Sequence, residues 1–188
     1  MTATVIAALF AYAATNVDDL FINMLFFAQA DTTAQIRQVT AGKYLGIGAL
    51  FFLSLVGAWF AQALPYGALR LLGLVPIALG VKAWLGRSNA EENASDHPSN
   101  ASASLMISTA LITMANGADN VGVYIPLFVG YDAWQVIATA AVFALMTAVW
   151  CFVSRRLADL PILRGVLTRY KHIAVPVVLI ALGVYILI

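Results

Sequence analysis

The chain has 188 residues, 62% of them hydrophobic and only 10% charged, with a formal net charge of +1 and a mean hydropathy of +0.90. Soluble domains average about 25% charged residues and under half apolar ones, so this composition excludes a soluble catalytic domain and points to an all-α integral membrane protein. The small net charge says nothing about partners, and there is no basic stripe of the kind a nucleic-acid partner requires.

At about 20 residues per span, the apolar stretches predict six transmembrane helices. Helix 1 is expected from about Thr4 to Gln29, as a retained span rather than a signal peptide, because no positive charge precedes it and it runs on past Ala11-Tyr12-Ala13. A polar break at Asp31-Thr32-Thr33 and a short amphipathic connection over Gln35 to Thr40 lead to helix 2, about Ala41 to Ala63. Its Gly42 and Gly46 have the small-xxx-small spacing that lets helices approach closely in lipid. Pro65 and Gly67 turn the chain into helix 3, about Ala68 to Leu85.

Residues 87–103 are rich in Ser, Asn, Ala and acids and cannot bury a core, so they read as a flexible cytoplasmic linker. His97 within it is expected to be solvated. Helices 4, 5 and 6 follow at about Leu105 to Val129, Trp134 to Val153 and His172 to Ile188, with a basic connection between the last two. The chain thus divides into a three-helix repeat over 1–86, the linker, and a second three-helix repeat over 104–188.

The basic residues set the expected orientation. Nine of the ten Lys and Arg fall on one face, counting Arg37, Lys43, Lys82, Arg87, Arg155, Arg156, Arg164, Arg169 and Lys171, and only Arg70 lies opposite. Lys43 and Lys82 are expected to snorkel to that face. It is the cytoplasmic one, which puts both termini outside. The halves also repeat. Asn16-Val17-Asp18-Asp19 recurs 100 positions later as Asn116-Gly117-Ala118-Asp119, and Ala78-Leu79-Gly80-Val81 recurs as Ala181-Leu182-Gly183-Val184. Three helices per repeat is an odd number, so the halves insert with opposite orientation, a 3+3 inverted repeat with its binding site expected at the repeat interface.

The two Asn-x-x-Asp elements carry the chemistry. A carboxylate at bilayer depth costs at least about 2.5–3.5 kcal/mol and is functional by default. Asn16, Asp19 and Asn23 share one face of helix 1, with Thr15 and Asp18 on a neighbouring face, while Asn116 reaches Asp119 and Asn120 on helix 4. If those faces oppose, Thr15, Asn16, Asp18, Asp19, Asn116, Asp119 and Asn120 offer converging oxygens, the donor set of a divalent-cation site. Gly117 is expected to loosen helix 4 and free a backbone carbonyl there. The three Asp side chains carry −3, which a divalent ion reduces to −1. Without an ion, clustered carboxylates in a poor dielectric hold protons, so metal and protons compete and proton/metal antiport is the expected mechanism. No cofactor is expected beyond the transported cation. The partners are that cation, protons and the lipid bilayer, and the sequence permits a homodimer without specifying one.

Blander readings apply to several residues. Asn23 alone fits interhelical hydrogen-bonding, Met24 and Met114 fit gap-filling, His172 fits an interface position, and Cys151, the only cysteine, fits a small apolar residue. An intramembrane aspartyl protease would need one Asp on each of two helices. The adjacent Asp18 and Asp19 exceed that need, and no glycine stands directly before Asp119.

At these residues the chain resembles the cadmium-resistance transporters (CadD type) of the lysine-exporter (LysE) superfamily. The matching stretches are Thr15-Asn16-Val17-Asp18-Asp19-Leu20-Phe21, Gly42-Lys43-Tyr44-Leu45-Gly46, Leu71-Leu72-Gly73-Leu74-Val75-Pro76-Ile77, and Ala115 to Phe128. Against the family's pattern, Lys43 replaces a Gln and Ala118 a second Gly. The resemblance implies a multi-pass exporter of Cd²⁺ in the bacterial inner membrane, with Asp18, Asp19, Asp119 and the neighbouring Asn residues serving transport. The residues themselves show only a divalent-cation site, for which Mn²⁺, Ca²⁺, Mg²⁺ or Zn²⁺ are alternatives. Export of a cationic amino acid, as in related superfamily members, is the runner-up.

Overall fold

A computed structural model describes residues 2–63, 72, 74–85, 105–158, 177 and 179–187. Every described element is a helix: α1 Thr2–Thr15, α2 Val17–Ala28, α3 Thr33–Ala61, α4 Leu74–Leu85, α5 Leu105–Ala115, α6 Ala118–Phe128 and α7 Ala133–Ala158, with residues 179–187 also helical. The linker, the Pro65 turn, His97, His172 and the first parts of expected helices 3 and 6 lie outside the described residues.

Four expectations change. Helix 1 is not one rod but two, α1 and α2, bent by 59° at Asn16. Helix 4 is likewise interrupted, at Asn116-Gly117, into α5 and α6. The expected connection over Gln35 to Thr40 is instead the start of α3, because a capping box initiates the helix early. Thr32 accepts from the Gln35 backbone N at 3.2 Å, and the Thr32 backbone N donates to Gln35 Oε1 at 3.0 Å. The same device starts α7, where Asp132 accepts from Gln135 N at 2.7 Å and returns a bond to Gln135 Oε1 at 2.9 Å. Finally, α7 runs through Arg155 and Arg156 to Ala158, so those two exposed cations sit in its last turn, where they favour the helix dipole.

By length and composition, α3 and α7 are each able to cross a membrane, and the bent α1–α2 pair makes a third candidate span among the described residues. The packing interleaves the two parts of the chain. The α3 helix lies against α5 and α6, while α7 lies against α1 and α2. Close approach of α3 to α5 depends on Gly42 and Gly46, as their spacing predicts: a Cβ at Gly46 would sit 2.6 Å from Thr113 Cβ, and one at Gly42 would meet Met106 O and stand 2.8 Å from Thr109 Cβ. Gly48, two residues on, faces open space.

Two apolar clusters form the core. One joins Phe27, Val39 and Cys151 with Ile36, Leu105 and Ala158, gathering the start of α3 and the end of α7 at one end of the molecule. The other joins Ala8, Tyr12, Ile47, Val123, Phe128 and Phe143 with Leu179 and Leu182. Along α3, Lys43 falls between Val39 of the first cluster and Ile47 of the second.

Gly46→Val is expected to lower the thermal unfolding temperature in detergent, by overpacking worth about 1–3 kcal/mol. Gly48→Ala, which only raises helix propensity, should leave it unchanged or raise it. Equal effects at the two positions would show that α3 and α5 do not meet at Gly46.

Candidate cation site

Each break leaves a helix N-terminus without a side-chain cap. Asn16 precedes α2 with φ −110° and ψ 10°, and Gly117 precedes α6 with φ −84° and ψ 13°, and neither makes a capping side-chain bond. The acids follow at once, Asp18 and Asp19 in the first turn of α2 and Asp119 in the first turn of α6. Carboxylates there are favoured by the positive end of the helix dipole. On the other side of each break, the C-terminal carbonyls of α1 and α5 supply partial negative charge. Interrupted helices of this kind are how transporters present backbone and side-chain oxygens to an ion inside a bilayer.

The first break is tied to α6 by Tyr124, which is fully buried. Thr15 Oγ1 donates to Ala11 O at 3.0 Å, so the contact of 2.9 Å between Thr15 Oγ1 and the Tyr124 hydroxyl has the tyrosine as donor. Tyr124 in turn accepts from Asn16 Nδ2 at 2.9 Å, and the same amide nitrogen approaches Tyr12 O and Thr15 Oγ1 at 3.0 Å each. Because Tyr12 O only accepts, the amide cannot be reversed: its nitrogen faces the network and its oxygen faces away. Asn16 Oδ1 is buried with no hydrogen-bond partner, and so is Asn120 Oδ1. Asn120 lies one turn before Tyr124 on the same face of α6. A buried, unpaired amide oxygen costs free energy unless something electropositive approaches it.

The charged part of the site is an ion pair. Lys43 of α3 donates its ammonium to Asp19 Oδ2, with Lys43 0% and Asp19 5% exposed. Lys43 therefore does not snorkel to the face of the membrane as expected. Its neighbours Val39 and Ile47 are buried above and below it, and the acid it meets is at its own level. Asp119, half-buried, accepts from the Asn120 backbone N at 2.9 Å and lies within Coulombic range of Asp18, Asp19 and Lys43.

The candidates thus separate. Thr15, Asn16, Asp19 and Asn120 are buried together around Tyr124 and Lys43, with Asp119 and Asn116 half-buried at their edge. Asp18 is on the exposed face of α2 with Leu25, facing away from Asn23 and Met24. Among the described residues no three His, Cys, Asp or Glu side chains gather as a ligand shell. A cation held here has to draw on amide and backbone oxygens as well as carboxylates.

An aromatic layer closes one side. Phe143 of α7 packs edge-on against Tyr12 at 5.2 Å between ring centroids and against Tyr124 and Phe51 at 4.7 and 5.5 Å. Trp150, also on α7, stacks edge-on with Tyr12 and donates its indole N–H to Asn16 O at 2.7 Å. That bond satisfies the carbonyl exposed by the break.

A buried ion pair beside two interrupted helices is a transporter's equipment, and sequence comparison is decisive. The cadmium resistance transporter family matches residues 12–188, which hold every residue of this site. The chain belongs to that family. No curated protein and no solved structure matches it significantly. A cadmium resistance transporter is not an enzyme, which removes the aspartyl protease alternative. Three residues of this transporter's site were not singled out from sequence as parts of it: Tyr124, Trp150 and Lys43. A lysine in an apolar helix interior was the available signal, because such a charge has to find a partner at its own depth.

Tyr124→Phe removes two hydrogen bonds between α6 and the first break. At roughly 0.6 kcal/mol each and up to about 1.7 for the strongest such bonds in membrane proteins, the expected loss is about 1–2 kcal/mol in detergent unfolding. An unchanged midpoint would mean the hydroxyl does not bridge the helices. Asp19→Leu should cost about 3–5 kcal/mol by stranding a buried ammonium, and Asp19→Leu with Lys43→Met should recover most of that loss. A double variant no more stable than the single one would refute the pairing.

Proposed function

We propose that this protein exports divalent heavy-metal cations, Cd²⁺ foremost, across the bacterial inner membrane in exchange for protons, through an Asp/Asn site between the two broken helices. The carrying observation is the pair of buried, unpartnered amide oxygens, Asn16 Oδ1 and Asn120 Oδ1, beside Asp19 and Asp119. They are hard, neutral donors, and the one on Asn16 is held in place before any ion arrives by the bonds of its amide nitrogen. With carboxylates and helix-end carbonyls they suit an ion of about the size of Ca²⁺, and Cd²⁺ is close to that size.

A six-span inverted repeat underlies this reading. Its support is positional: helix breaks at Asn16 and Asn116-Gly117, capping boxes at 32/35 and 132/135, and α3 exchanging partners with α7 across the two parts. Tyr44 OH donates to Ala144 O at 2.9 Å across a separation of 100 residues, as expected where equivalent helices meet near a two-fold axis. Exposed Arg37, Arg155 and Arg156 gather at the end built from the start of α3 and the end of α7. That end is assigned to the cytoplasm, so both termini are outside, the linker over 87–103 is inside, and the Phe143 aromatic layer is on the outer side of the site. In the cycle, Asp19, Asp119 and the amides take the ion, and Asp18 at the edge provides charge along its path. Thr15 positions Asn16, since its hydroxyl is already used in three contacts.

Export of a cationic amino acid is the second reading, and one observation favours it: Asp19 already binds a lysine ammonium.

Inside-out vesicles carrying the protein are expected to take up Cd²⁺ when the interior is made acidic, and Asp119→Asn should reduce that uptake by at least about tenfold, the loss of one charged ligand being worth 1.4 kcal/mol or more. Collapse of the pH gradient should stop it. Uptake that ignores the gradient would remove proton coupling, and uptake of radiolabelled lysine in place of Cd²⁺ would establish the second reading.

A further inference from the structure

Lys43 is the one buried cation among the described residues, and it is bonded to the carboxylate through which the proposed site would take its ion. As a purely structural device the pair is poor. A buried ion pair can be replaced by apolar residues of similar volume at little cost, whereas an ammonium inside a membrane is expensive. Lysine differs from arginine in ways that matter here. Its charge is compact, its stem has four rotatable carbons, and its three N–H groups only donate. To a carboxylate such a group looks like a small metal ion that cannot leave.

We infer that the Lys43 ammonium is a tethered stand-in for the transported cation: it holds Asp19 while the site carries no ion, and an arriving divalent ion displaces it. This rests on the reading of Asp19, Asp119 and the two amides as the cation site. The geometry supports exchange rather than coexistence. Nζ contacts Asp19 Oδ2 directly, so an ion coordinated by that oxygen has to move the ammonium away. The stem is anchored on α3 between Val39 and Ile47, while the acids belong to α2 and α6, so the ammonium can move without unfolding either break. No change in the protonation of Lys43 is needed. A protein that has released its ion keeps Asp19 neutralised and can reset without leaving a bare carboxylate in hydrocarbon.

The test is equilibrium binding of radioactive Cd²⁺ to the full-length protein in nanodiscs, for wild type, Lys43→Gln, Lys43→Arg and Asp119→Asn. Removing an internal competitor should tighten Cd²⁺ binding in Lys43→Gln by about tenfold, within the usual range for coupled binding events, and Lys43→Arg should stay near wild type. If Lys43 merely positions Asp19, Lys43→Gln weakens binding or leaves it unchanged, and the inference falls while loss of binding in Asp119→Asn keeps the site. Binding indifferent to Asp119→Asn overturns site and inference together. A second measurement needs no variant: amine-reactive labelling of wild-type Lys43, read by mass spectrometry, should rise when Cd²⁺ is added. Labelling that stays constant or falls overturns the displacement.

Discussion

Hydrocarbon supplies no hydrogen bonds, and every interruption of a helix within it frees backbone groups that the protein has to satisfy by itself. Two such interruptions fall among the described residues, at Asn16 and at Asn116-Gly117. At the first, Trp150 bonds Asn16 O, Asn16 Nδ2 bonds back to Tyr12 O, and Tyr124 joins Thr15 and Asn16 from the opposite helix pair. What remains unsatisfied is informative by contrast. Among the described residues the buried side-chain atoms without a hydrogen-bond partner are Asn23 Nδ2, Thr139 Oγ1, Ser154 Oγ and the amide oxygens of Asn16 and Asn120, and the last two stand at the first break and in the first turn of α6. The network holds the nitrogen side of Asn16 rigid, and this rigidity is what aims its oxygen. On the proposed reading, a site formed in this way would lose little entropy on binding an ion, because the ordering is completed on folding.

The packing that brings the breaks together is itself dictated by residue size. Gly42 and Gly46 let α3 sit closely against α5, while Lys43, between them on the same helix, meets Asp19 of α2. On α7 the position 100 residues later is Phe143, and it does the opposite work. Where α3 contributes a charge to one side of the site, α7 contributes the hub of an aromatic cluster to the other. Two helices of similar length, capping and placement thus differ at one depth in a way that makes one side of the site polar and the other sealed.

Much of this was legible in the sequence because hydrophobic length, charge and spacing act locally. Membrane character, the small-residue stripe of α3 and the two Asn-x-x-Asp elements needed no tertiary information. Gly117 also announced its break, since glycine in a helix interior weakens it. The break at Asn16 was not announced: no glycine or proline marks it, and the chain bends there because Tyr124 and Trp150 reward the bend from other helices. The extent of α3 was missed for a different reason, a capping box over Thr32 and Gln35 that outweighed the polar character of the first turns. Lys43 was misplaced because a lysine stem can reach about as far toward an interface as toward a neighbour, and only the position of Asp19 in space decides between them.

The ammonium also alters the charge balance on which coupling depends. Three carboxylates alone would retain −1 with a divalent ion bound, a charge that a proton or a further cation has to cover before the site can cross a low-dielectric barrier. Lys43 cancels the charge of one of these acids, Asp19, while no ion is bound. On the proposed reading, the return of the empty form then needs fewer protons than three bare carboxylates would require, and a neutral side chain at position 43 would raise that requirement by one.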